Sequence, residues 1–425
     1  MLFFKYKNNN LFCENIKVSD ICKKFETPFY LYSSNALVNN YNNLDKLLKG
    51  INYLIAYSVK ANSNISVLKT FSNCGAGADV VSIGELKKAI KAGISSSKIV
   101  YSGVGKSNEE IAYALKANIE QFNVESLEEL ETISLIAQQM NAVANIALRV
   151  NPDITAGGHP KISTGKKTDK FGIPISKSKK IYKFAKELSN INIKGVDIHI
   201  GSQISNLSPF KKAFKKVLNF CMELDSLGFD IKNIDLGGGI GIDYESDKQD
   251  LKFLNKYVNL IKDIFKKTNK KIIIEPGRFL VANAGILVTK VLYKKIVDNK
   301  NFLIIDAGMN DLMRPALYDA KHLIKPLEKK IKNQMTKKFE VVGTICETAD
   351  VMVKGAKIYK TVKKGDFYFI DKTGAYGHVM SSSYNSKSIA SEVMINKNDY
   401  TEIKKRINTE DLLKFEKTAA WLRKK

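Results

Sequence analysis

Between residues 51 and 275 the chain repeats one pattern: a short apolar run ends in polar residues or glycine, and an amphipathic stretch with helical spacing follows. The apolar runs lie at 53–58, 78–82, 99–102, 121–124, 146–150, 196–200, 234–236 and 272–275. Helix-like stretches between them include 83–92, 108–117, 127–140, 177–188, 210–227 and 251–265. Ser126, just ahead of Leu127, stands where a hydroxyl can cap the first turn of one of them. Strands that alternate with helices run parallel, because each helix carries the chain back across the sheet. Eight such strands predict an α/β fold built on a closed, TIM-type (β/α)8 barrel, with an open doubly wound sheet as the structural alternative.

Past residue 280 the texture changes. Runs at 285–297, 301–306, 339–343 and 366–371 alternate or carry β-branched and aromatic residues, which predicts a second, mostly antiparallel β domain. A chain of 425 residues has room for two domains. The division expected is 1–29, packing with the β domain; 30–280, the barrel; and 281–425, the β domain with a charged helical tail from residue 400. Phe29-Tyr30-Leu31-Tyr32 reads as a strand leading into the barrel.

The formal charge is +25, from 68 Lys+Arg against 43 Asp+Glu. The lysines are scattered over many helices and gathered in no tract or motif, so no nucleic-acid partner is expected; the field favours an anionic ligand. Five cysteines, at 13, 22, 74, 221 and 346, form no CxxC pair and no metal-ligand spacing, which predicts free thiols in a reducing compartment and no metal. No apolar run approaches the roughly 18 residues of a membrane helix, and residues 1–10 are too short and polar for a signal peptide. A soluble cytoplasmic protein, with no membrane partner, is expected.

In a barrel of this type, chemistry belongs at the C-terminal ends of the strands. Five features fall there: Lys60; His199 with Ser202; the run Asp235-Leu236-Gly237-Gly238-Gly239-Ile240-Gly241; Glu275-Pro276-Gly277-Arg278; and Arg149. Each has a plain structural reading. Lys60 could cap a strand and point to water, His199 could be a satisfied core histidine, and the glycines could make a tight turn. Together they ask for one ligand with an aldehyde for a partly desolvated lysine, a phosphate for glycine N–H groups, a pyridinium for Glu275 and a flat ring beside His199. Pyridoxal 5'-phosphate has all four.

Ten motifs follow in order: YSVKAN (57–62), GADVVSIGEL (77–86), LRVNPD (148–153), KFGI (170–173), HIGSQ (199–203), DLGGGIGI (235–242), EPGR (275–278), DAGMNDLMRPALYDA (306–320), CETAD (346–350) and GAYG (374–377). From about Phe29 to Phe415 the chain resembles the barrel-type pyridoxal-phosphate decarboxylases of the alanine-racemase-like fold, most closely the diaminopimelate decarboxylase family. The resemblance implies pyridoxal phosphate on Lys60 and a head-to-tail homodimer with shared active sites. His199 matches the residue stacked on the cofactor ring. Ser202, Gly237, Gly238, Gly239, Glu275, Pro276, Gly277, Arg278 and Tyr376 match its phosphate and ring contacts, and Asp79 and Arg149 match further positions of its pocket. Arg278, Arg314, Tyr318, Glu347 and Tyr376 match substrate contacts. Cys346 matches a proton donor, supplied with Glu347 by the neighbouring subunit.

The reaction implied is decarboxylation of meso-2,6-diaminopimelate to L-lysine and carbon dioxide, the last step of lysine biosynthesis. The alternative is a related decarboxylase of basic amino acids or carboxynorspermidine, although an ornithine enzyme has no use for Arg314. A racemase of related barrel type would put arginine in place of Glu275, and a non-catalytic relative would be expected to lack Lys60 or Cys346. Two departures stand out: Thr348 and Ala349 occupy positions where relatives often have small serine or glycine residues, which touches only packing, and GTICE lacks the proline often found before the cysteine.

Overall fold

The structure, a computed structural model, describes residues 3–154, 170–245, 251–329 and 335–422. The chain divides into two compact units, Ala36–Val281 and Met1–Asn35 with Ala282–Lys425.

The first unit is a closed barrel. Its strands are Tyr53–Ser58, Gly77–Val80, Ile99–Tyr101, Gln121–Val124, Ala144–Asn151, Ile191–Asp197, Asn233–Asp235 and Lys271–Ile274. Each pairs in parallel with the next, and the last pairs back with the first, so the ring has no free edge. Helices between the strands start on hydroxyl caps. Ser126 Oγ accepts from the Glu129 N–H at 3.1 Å, and Ser107 and Glu110 cap each other's backbone reciprocally. The sixth strand begins at Ile191, five residues ahead of the expected run, and its register shifts between Ile193 and Gly195. Polar Asn192 and Lys194 conceal its start. A Cβ at Gly195 would lie 2.3 Å from the Asn233 carbonyl oxygen, so only glycine fits there.

Inside the ring runs a polar thread. Gln121 and Asn123 share one face of their strand, as do Asn233 and Asp235, because alternate residues point the same way. All four are buried. Asn233 Nδ2 donates to Gln121 Oε1 at 2.8 Å, Gln121 Nε2 to Asn123 Oδ1 at 2.8 Å, and Asn123 Nδ2 to Asp235 Oδ2 at 3.2 Å.

The second unit is built on a mixed, mostly antiparallel sheet. Its core strand is Phe29–Ser33, which pairs antiparallel with Gly285–Val297 and parallel with Ser391–Asn396. This corrects the expectation that the barrel unit opens at residue 30, since residues 30–35 belong to the sheet unit. All five residues of the strand are buried. Tyr30 and Tyr32 enter one apolar cluster with Leu287, Val291 and Ile305; Phe29 and Leu31 enter another with Phe4, Leu11 and Cys13. A strand apolar on both faces needs a sheet covered on both sides, and this sheet supplies the cover. The tail needs a second correction. Asp399–Lys404 is a strand, not a helix, closing a hairpin on Ser391–Asn396 through Lys397 and Asn398, with Lys397 at φ +56°. A two-residue loop suits the twist of such a hairpin. The helix that follows is only Thr409–Leu413.

Candidate active site

Lys60 sits in a single helical turn, Val59–Ala61, immediately after the first barrel strand. Parallel register sets Ser58 beside Asp79. Lys60 Nζ lies 3.2 Å from Asp79 Oδ2, which also accepts from Ser58 Oγ at 2.7 Å. Asp79 is fully buried and its Oδ1 has no hydrogen-bond partner, whereas the Lys60 side chain is 37% exposed. The lysine is anchored at a buried acid and remains open to an incoming carbonyl compound.

Below it the acids crowd. Asp197, Asp235 and Glu275 each bring an oxygen within 4.8 Å of the others. Burial pushes all three carboxyls well above their ordinary range. Asp235 and Asp79 raise Glu275 further, while Lys60 and Arg149 pull it down. Asn123 Nδ2 lies 3.5 Å from Glu275 Oε1, and Ser102 Oγ lies 3.4 Å from the same oxygen. Arg149, also buried, donates to Glu125 Oε1 at 2.6 Å and lies 3.8 Å from Asp197. Only Lys60 and Arg149 pull Glu275 back toward its charged form.

His199 lies two residues past the sixth strand. Its Nδ1 accepts from the Gly238 N–H at 3.2 Å, so the proton of the neutral ring falls on Nε2. Burial, then Arg149 and Lys60, hold the ring well below its ordinary value. Its 3.9 Å approach to Glu275 is therefore no ion pair.

The glycines have a packing role. A Cβ at Gly237 would lie 2.6 Å from His199 Nδ1, one at Gly238 2.2 Å from the Glu275 carbonyl oxygen, and one at Gly239 2.5 Å from the Gly201 carbonyl oxygen. Their missing side chains let the loops carrying His199 and Glu275 pack backbone on backbone. The Gly237 N–H is also committed, to Asp235 Oδ1 at 3.0 Å. Gly277 is also closely approached: a Cβ there would stand 3.0 Å from Ser58 Cβ and 3.1 Å from Ala61 Cβ. The Pro276 carbonyl accepts from the Ser58 N–H at 3.3 Å. Arg278 is buried, donating to Tyr244 Oη at 2.8 Å and to Ser202 Oγ at 3.1 Å.

The remaining expected residues belong to the sheet unit. Arg314 opens the short helix Arg314–Tyr318, with Tyr318 half-buried at its end. Tyr376 is half-buried at φ +54°, a costly conformation for a tyrosine. Cys346 and Glu347 are exposed. The Cys346 N–H donates to Asn385 Oδ1 at 2.9 Å, and Tyr384 Oη donates to Glu347. Asp350 ties this loop down, accepting from the N–H groups of Ile345 at 2.8 Å and Met309 at 2.7 Å.

Sequence reasoning missed Ser58, Ser102, Asn123, Glu125, Asp197 and Tyr244. One signal was present: Gln121 and Asn123 are polar at alternate positions of a strand with buried neighbours on both sides.

Residues 35–282 match the family model described as "Pyridoxal-dependent decarboxylase, pyridoxal binding domain". A diaminopimelate decarboxylase from Aquifex aeolicus is 42% identical over 96% of this chain and 95% of its own length. The chain belongs to the diaminopimelate decarboxylase family of pyridoxal-dependent decarboxylases. The likeness extends to solved members of the family. The diaminopimelate decarboxylase from Helicobacter pylori, complexed with L-lysine, superposes with a TM-score of 0.89 at 41% identity, covering 94% of this chain and 98% of its own. The enzyme from M. jannaschii, also in complex with L-lysine, gives 0.92 at 36% identity and covers 99% of both chains. Among the described residues no helix is long and apolar enough to cross a membrane.

Proposed function

We propose that this protein decarboxylates meso-2,6-diaminopimelate to L-lysine and carbon dioxide, the closing step of lysine biosynthesis, with pyridoxal 5'-phosphate held on Lys60. The observation that carries the reading is the Lys60–Asp79 pair at the barrel rim, backed by the buried acids around Glu275. The residues present fit the cofactor. Asp79 keeps an unpartnered buried oxygen, and Glu275 stands among acids in surplus over cations, where a protonated ring nitrogen would be welcome. When bound, pyridoxal phosphate supplies an aldehyde for amines and a conjugated ring that accepts the electron pair released as carbon dioxide leaves.

The chain's own groups do the rest. Asp79 holds the Lys60 amine at the rim. Glu275, steadied by Ser102 and Asn123, would hold positive charge at the ring nitrogen. Neutral His199 offers a flat face without adding charge. Ser202, Gly237, Gly238, Gly239, Pro276, Gly277 and Tyr376 would hold the phosphate and ring, and Arg149 pairs with Glu125 and approaches Asp197. Arg278 and Arg314 suit a distal carboxylate, since a guanidinium binds it in a fork, and Glu347 suits the distal ammonium. Tyr318 and Tyr376 complete the substrate's surroundings. Cys346 delivers a proton to the carbon that has lost its carboxylate. Cys346 and Glu347 come from the neighbouring subunit of a cytoplasmic homodimer, in keeping with their exposure here.

The test is carbon dioxide and lysine release by the purified protein with pyridoxal phosphate, comparing meso-diaminopimelate with ornithine, arginine and carboxynorspermidine. Turnover of meso-diaminopimelate above the others is expected. Preference for any of the other three would replace the substrate assignment and keep the reaction.

A further inference from the structure

Behind Arg314 lies a histidine that the proposed chemistry does not use. Arg314 Nη1 is 2.8 Å from His322 Nε2, and His322 Nδ1 is 2.8 Å from the main-chain oxygen of Asp371. Arg314 is 5% exposed and His322 3%. A guanidinium only donates and a carbonyl only accepts. Nε2 must therefore accept and Nδ1 must donate. One state of the ring satisfies both contacts: neutral, with its proton on Nδ1. The other tautomer would set N–H against N–H at Nε2 and lone pair against lone pair at Nδ1, and an imidazolium would set N–H against N–H at Nε2.

The ring is thus a directional acceptor built into the sheet. Asp371 follows the strand Phe367–Ile370, and its own N–H donates to the Leu323 carbonyl at 2.9 Å, beside His322. At the other end, Arg314 is the first residue of a five-residue helix with Pro315 at its start, so its backbone is held as well. A guanidinium is planar, so committing one N–H in a known direction restricts where the rest of the fork can point. A side chain ordered in the folded protein loses less freedom when a ligand arrives.

We propose that His322 is a positioning residue that aims the Arg314 guanidinium at the substrate's distal carboxylate. The proposal rests on reading Arg314 as a substrate contact. It identifies the ring's Nδ1–H tautomer as the means: Asp371 sets the tautomer, the tautomer presents a lone pair, and the lone pair orients the arginine.

The test uses the cofactor-loaded enzyme with meso-diaminopimelate and the variants His322→Leu, His322→Gln and Arg314→Met. His322→Leu removes the acceptor and should raise KM about tenfold, the scale of one lost buried hydrogen bond to a charged group, with kcat changed by less than about threefold. His322→Gln can place an amide oxygen near the position of Nε2 and should recover most of the loss. Independently of activity, 15N spectra of the wild type, which has four histidines, should show one neutral ring with a bare Nε2 and a protonated Nδ1. That signal should vanish in His322→Gln. If Arg314→Met raises KM while His322→Leu does not, His322 does not position the arginine and the proposal fails alone. If Arg314→Met leaves KM unchanged, the substrate reading of Arg314 fails and takes the proposal with it. Should His322→Leu not fold, an Nε2-protonated or cationic His322 in the spectra overturns the proposal by itself.

Discussion

The barrel rim and the Cys346 loop handle their reactive groups in opposite ways. At the rim, Asp79, Asp197, Asp235 and Glu275 are buried, and burial together with mutual repulsion raises the carboxyls of Asp197, Asp235 and Glu275. In the loop, Cys346 and Glu347 are exposed, and what holds them is local: backbone ties from Asp350 and Asn385 and the hydroxyl of Tyr384. The rim is a finished electrostatic environment within one chain. The loop presents two side chains in a set shape and leaves their environment to whatever they meet. Strong pKa shifts mark the first kind of site.

Three experiments bear on that contrast. The largest effect belongs to Lys60→Ala, which should abolish the visible absorbance of bound pyridoxal phosphate and lower carbon dioxide release by about a thousandfold or more. A surviving band would mean another lysine holds the cofactor, and the rim would lose its centre. Next comes Cys346→Ala. Turnover should fall about a hundredfold, within the range for loss of a proton donor, while the absorbance band stays intact. An unchanged rate would assign the proton to another group and separate the loop from the reaction.

The smallest effect tests whether a single buried acid in the sheet unit behaves like the crowd at the rim. Asp311 is 2% exposed; burial pushes its carboxyl up to about 7, against the pull of a hydrogen bond from the Gly308 N–H. A raised folded-state value means that the folded protein binds the proton more tightly than the unfolded chain. The stabilising contribution is then full below the ordinary 3.8 and is lost as pH rises through about 7. Thermal melts of the cofactor-loaded protein across that window should show the wild type losing ground to Asp311→Asn. Parallel losses in the two proteins would place the pH dependence elsewhere.

Much of the barrel was legible because its signals are short-range. Strand ends at 58, 124 and 235–236, and the helices at 108–117 and 251–265, follow from periodicity, caps and glycine. The strand-end rule then singled out Lys60, His199 and Glu275. The strand Phe29–Ser33 was assigned to the wrong unit because its partners lie more than 250 residues further on, around Gly285 and Ser391. Tyr400–Lys404 passed for helix because its charge pattern is neutral between the two states until the hairpin partner is known. The packing role of the glycine run was not legible, because the atoms nearest its absent side chains belong to distant residues such as His199, Glu275 and Gly201.

Periods, caps and turn residues act between neighbours a few positions apart, so the chain alone determined most barrel elements and which residues stand at their C-terminal ends. Barrel closure and strand register act between residues far apart. They alone decided that Ser58 and Lys60 meet Asp79, that Asn123 reaches Asp235 across 112 positions, and that His322 stands between Arg314 and Asp371. Protonation follows from those meetings, because the charge a side chain keeps depends on the water it has lost and the partners it has gained.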